Sequence, residues 1–101
     1  MTDREMLEFA AKAAGITVSF DRTRRDWAWN SLDDDGDALR LAVKLGLVVC
    51  VLHSINLTGV YLPAERIGGK YDITEHHNGD PLAATRRAIA RAAAEIGRNM
   101  E

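Results

Sequence analysis

The chain has 101 residues, 47% of them hydrophobic, which suits one compact domain with a modest core and leaves little for a second. Thirteen Lys and Arg against fifteen Asp and Glu give a formal net charge of -2, which excludes a sequence-wide pull on nucleic acid and confines any anion site to a local cluster. A single cysteine, Cys50, excludes an internal disulfide. There is no signal-peptide core and no apolar run of membrane-spanning length, so the expectation is a soluble cytoplasmic protein.

Thr2 followed three residues later by Glu5 is a capping-box pattern, and the helix formers from Met6 to Ala14 stop at Gly15, so the first element is a helix. Ile16, Val18 and Phe20 alternate with Thr17 and Ser19 as in a half-buried strand, and a polar run from Asp21 to Arg25 turns the chain. Trp27 and Trp29 share one face of a short second strand. The aspartates after them cap a helix that runs to Leu45 and stops at Gly46. Ala38, Leu41, Ala42 and Leu45 form one apolar stripe and Leu39 and Val43 an adjoining one, which predicts a mostly buried helix.

Leu47 to Leu52 is a continuous apolar run of central-strand type, with Cys50 packing in it as a small hydrophobe. Leu57 to Leu62 and Lys70 to Thr74 complete an antiparallel meander around a mobile loop at Gly68-Gly69. Asp80-Pro81 opens a terminal helix to about Arg98, with Leu82, Thr85, Ile89, Ala92 and Ile96 on one stripe and Arg87, Arg91, Glu95 and Arg98 on another. The predicted class is α+β: an α-β-β-α-β-β-β-α order, with helices covering one face of a mainly antiparallel sheet of about five strands.

The polar residues around Trp29 exceed what a turn requires. The tryptophan pair offers a stacking wall for a base, although core packing explains such residues more often. Asn30 can read a base edge or close an Asx turn. Asp33, Asp35 and Asp37 imitate a calcium loop, but Gly36 stands at the wrong offset and Lys44 occupies the place of the bidentate glutamate, so helix capping is the better reading. Asp37 and Arg40 are spaced to pair on a helix surface.

Arg86, Arg87 and Arg91 can grip phosphate or form a solvated ridge, Arg86 being the better candidate because it borders the buried stripe. Lys70 and Tyr71 can add a lid. His76-His77 lacks the further ligands of a zinc site and any evident orienting carboxylate, and reads as solvated loop. No phosphate loop, nucleophile elbow or carboxylate pair is present, so no catalytic residue, metal or cofactor is assigned and binding is the expected class.

Four segments resemble a family of small, largely uncharacterised accessory proteins of tailed bacteriophages and prophages. They are Thr2 to Gly15, the Trp29-Asn30 step, Asp34 to Leu45, and Asp80-Pro81-Leu82-Ala83-Ala84-Thr85-Arg86-Arg87-Ala88-Ile89 with its continuation, together about half the chain. The family commonly has proline after Trp-Asn, where this chain has Ser31, and the middle strands diverge. The resemblance implies a non-essential phage protein, a class in which many members block host immunity, and it brings no catalytic residues.

The function expected on this basis is counter-defence in the host cytoplasm by sequestering a small nucleotide signal without catalysis. Trp29, Asn30, Asp37, Arg40 and Arg86 are the expected ligand residues, in a pocket that a homo-oligomer can complete. The alternatives are a protein-binding inhibitor of a host defence protein, with Asp33 to Asp37 imitating a nucleic-acid backbone, and a small nucleotide-processing enzyme using His76 or His77.

Overall fold

A computed structural model describes residues 1–16, 20–21, 26–27, 29–62 and 72–100. Helix α1 is Asp3–Ala14, and its start is the predicted capping box: the Thr2 hydroxyl accepts the Glu5 N–H at 3.1 Å, and the Glu5 carboxylate accepts the Thr2 N–H at 3.1 Å. The Thr2 backbone N–H first, and then its hydroxyl, hold the Glu5 carboxyl below its ordinary pKa. Gly15 and Gly46 end α1 and helix α2 (Asp35–Leu45) at φ of 69° and 65°, a conformation that costs glycine nothing.

Strands β1 (Phe20–Asp21) and β2 (Asp26–Trp27) pair with each other, Phe20 opposite Trp27. Strands β3 (Val48–Leu52), β4 (Leu57–Tyr61) and β5 (Ile73–His76) form an antiparallel sheet in the order β3-β4-β5, and helix α3 is Pro81–Arg98. The fold is therefore α+β, three helices with a three-stranded antiparallel sheet packed against them. Among the described residues the strands form two sheets, β1-β2 and β3-β4-β5, in place of the expected single sheet of about five strands.

The last strand begins later than the expected Lys70 to Thr74. Its start follows from pairing rather than from local alternation: Ile73 stands opposite Val60 and His76 opposite Leu57, which buries Ile73 over α3. Lys70, Tyr71, the Gly68-Gly69 loop and most of the expected first strand lie outside the described residues.

Helix α3 is the axis of the core and buries three sides. Ala88 and Ala92 face Val60 and Ile73 of the sheet, while Ile89 and Ala93 meet Ala10 and Ala14 of α1 and Ala38, Leu41 and Ala42 of α2. Ala90 and Ala94 close over Met6. Small side chains on all three sides let backbones approach closely, so the core is won by many short contacts rather than by a few large residues.

Two packing expectations are corrected. Leu39 and Val43 of α2 are 63% and 73% exposed, so α2 buries only the stripe through Ala38, Leu41 and Ala42. Leu82 is 63% exposed in the first turn of α3, short of the alanine-lined part of the helix. No helix among the described residues is long and apolar enough to cross a membrane.

Candidate functional site

The predicted ligand residues meet at one corner of the fold, where the loop before α2 touches α3. Asn30 folds the loop on itself: its side-chain oxygen accepts the N–H groups of Leu32 (3.0 Å) and Asp33 (3.2 Å), and its amide nitrogen donates to Asp33 at 3.2 Å. The Asn30 backbone N–H donates to Asp37 at 3.0 Å, whose other oxygen accepts from Arg40 at 2.7 Å. Asp34 caps α2 by accepting the Asp37 N–H at 2.9 Å.

Arg86 reaches this corner from α3. Its Nε donates to the Leu32 carbonyl at 2.9 Å and its Nη1 to Asp35 at 2.6 Å, with the side chain only 18% exposed. Trp29 is half-buried against the cluster of Ala10, Leu41 and Ile89. The structure thus brings Asn30, Asp37 and Arg40 into one network and joins Arg86 to the same loop, with Trp29 serving as core. Each polar member already has partners within the chain, and the Arg40 side chain alone among the five is largely in solvent, at 72% exposure. Asp34 is a cap, Asp35 and Asp37 pair with arginines, and Asp33 accepts from the Asn30 amide. The side chain of Trp27 is outside the described residues.

A second place gathers arginines without tying them into a turn. A groove of about 400 Å³ lies between the start of α1, β5 and α3, with Arg87, Arg91 and Arg98 along it, Glu75 and Glu95 between them, and Met6 and Ile73 as apolar floor. The three arginines share a helix face over roughly 16 Å of rise. Arg91 is the most firmly held, donating to the Thr74 carbonyl at 2.9 Å and to Glu75. Arg87 pairs with Asp3 at 3.2 Å and Arg98 with Glu95 at 3.4 Å, and their side chains are 42% and 56% exposed. One Glu95 oxygen is buried there with no hydrogen-bond partner.

The stripe through Arg87, Arg91 and Arg98 is readable from helical spacing. Its floor is not, because Met6 and Ile73 come from distant parts of the chain and carry no mark of their role.

The histidines separate. His76 is exposed on β5, whereas His77 is 4% exposed, correcting the expectation of a solvated pair. His77 Nε2 shares a hydrogen bond of 2.9 Å with the Thr58 hydroxyl, which meets the Thr85 hydroxyl at 3.0 Å, so the three stitch the sheet to α3. The chain matches no family model, and comparisons with curated proteins and with solved structures give no match either.

Proposed function

We propose that the chain is a non-catalytic sponge, a phage accessory protein that counters host defence in the bacterial cytoplasm by sequestering a small nucleotide signal, with phosphate held in the groove of Arg87, Arg91 and Arg98. The observation that carries this reading is the row of three arginines that one helix face lays along a single groove. Guanidinium forks match phosphate oxygens in pairs.

The Arg87–Asp3 ion pair is exposed on both sides, and such pairs are worth about 0–1 kcal/mol. A phosphate dianion therefore displaces the Asp3 carboxylate from Arg87 at small cost, while Arg91, fixed by Thr74 and Glu75, holds the register. Trp29, Asn30, Asp37, Arg40 and Arg86 enter the proposal as the framework that seats the N-terminal half of α3. A sponge needs stoichiometric binding alone, so it requires no catalytic set.

The second reading, a protein-binding inhibitor, draws on the exposed carboxylates of Asp33, Asp34 and Asp35 projecting from one turn. One experiment separates these classes. Purified protein is incubated with a panel of cyclic and linear nucleotides, washed, heated and its released contents identified by mass spectrometry. Intact nucleotide in stoichiometric yield supports the sponge, altered product makes the protein an enzyme, and no capture favours the inhibitor.

A further inference from the structure

Strand β3 is an outer strand: it pairs with β4 along all five of its residues, and among the described residues nothing pairs with its other edge. The direction of its backbone groups follows from the neighbouring strand. The Val60 carbonyl accepts the Asp72 N–H at 3.0 Å and the Asn56 carbonyl accepts the His77 N–H at 2.8 Å, so Val60 and Thr58 of β4 direct their polar groups toward β5. Val49 and Val51 stand opposite Val60 and Thr58, and therefore point their own N–H and C=O groups away from β4, at the free edge.

Nothing in the strand discourages pairing there. Val-Val-Cys-Val-Leu has no charge and no proline, and its register with β4 runs without a bulge, the devices by which lone edges are kept from associating. The side chains of Val49 and Val51 lie on the α3 side of the sheet. Val49 borders an apolar cavity of about 290 Å³ with Ala38, Leu39, Ala42, Leu82 and Ile89. Leu39 and Leu82 on its wall are each 63% exposed, and Val51, two residues along the strand from Val49, is 41% exposed.

We propose that β3 pairs antiparallel with β3 of a second copy about a two-fold axis at Cys50, joining two three-stranded sheets into one. A strand edge presents donors and acceptors at every second residue, which another extended strand matches. A second copy offers the same outward groups at the same spacing. With the axis at Cys50, Val49 meets Val51 of the second copy and Val51 meets its Val49, both as hydrogen-bonded pairs, and the interface is self-complementary.

A slip of one residue would oppose outward-pointing groups to inward-pointing ones and lose the ladder. In the matched register the valines of the second copy fall on the cavity side and cover its apolar wall. Cys50 then faces its own counterpart in a non-hydrogen-bonded pair with Cα atoms about 4.5 Å apart, at the short end of the disulfide range. The half-buried thiol is thus a reporter of the register.

The whole chain is examined by light scattering and by cross-linking with diamide, which takes up the two hydrogens released as two thiols join. The expected mass is twice 11.1 kDa, and oxidation is expected to give a reducible dimer that Cys50→Ser loses while keeping the scattering mass. Val51→Lys is expected to retain the wild-type circular dichroism and to scatter as a monomer. A monomeric wild type, a dimer that Val51→Lys leaves intact, or a dimer that oxidation does not cross-link overturns the proposal. Neither measurement reads nucleotide, so failure here is distinct from failure of the arginine groove.

Discussion

A Cβ added to Gly97 would lie 1.8 Å from the carbonyl oxygen of Phe9, so α1 and α3 touch through backbone at this point. No rotamer relieves such a contact, because the obstacle is main chain. Gly97→Ala forces the helices apart along the alanine seam and is expected to cost at least about 2 kcal/mol, despite alanine being the better helix former. Urea unfolding followed by circular dichroism reads the loss, and an unchanged midpoint would mean that the helices are not in contact there.

Arg86 makes two hydrogen bonds in different directions, to the Leu32 carbonyl and to Asp35. Arg86→Ala is expected to lower stability by about 1.5–3 kcal/mol, the range for hydrogen bonds to charged groups, and Arg86→Lys to recover little because a single ammonium cannot serve both acceptors. Thermal unfolding of the two variants checks this. Recovery of wild-type stability by lysine would reduce Arg86 to a simple charge.

Ser31 is fully buried and its hydroxyl has no hydrogen-bond partner. It occupies the second position of a turn closed by the Asp33 N–H on the Asn30 carbonyl at 3.3 Å, a place where proline is favoured and no side-chain donor is needed. Ser31→Ala is expected to raise stability by about 1 kcal/mol, since an unpaired buried hydroxyl costs its lost hydration. A lower melting temperature would show that the hydroxyl is satisfied in solution.

Glu5 titrates below its ordinary value of 4.5 because the folded state holds its carboxylate with the Thr2 backbone N–H and hydroxyl. A depressed folded pKa means that the ionised form stabilises α1 above 4.5, and that this contribution disappears as pH falls through the lower folded value. Glu5→Gln is expected to lower stability near neutral pH and to flatten the acid limb of the stability curve. An acid limb identical to that of the wild type would contradict the capping box.

Helix ends were legible in the sequence because caps are local: Thr2 with Glu5, Asp80 with Pro81, and Gly15 and Gly46 each act within a few residues. Burial was less legible. Apolar spacing placed Leu39, Val43 and Leu82 on faces but could not say which faces meet a neighbour, and the alanines of α3 turned out to be the main seam. His77 was missed because its partner Thr58 is 19 positions away. Arg86 stands out in the sequence as a cation beside the buried stripe, but its partners lie 54 and 51 positions back, so the structural clamp it forms is not legible there.

In the proposed binding mode nucleotide phosphate is held in the groove of α3 and not at the polar corner. Nucleotide capture from the panel, quantified for the wild type, for Arg87→Ala with Arg98→Ala, and for Arg40→Ala, tests it most directly. Stoichiometric intact capture is expected for the wild type and for Arg40→Ala, and a loss of at least tenfold in affinity, about 1.4 kcal/mol, for the double variant. Undiminished capture by the double variant with loss in Arg40→Ala, or no capture by the wild type, would contradict it.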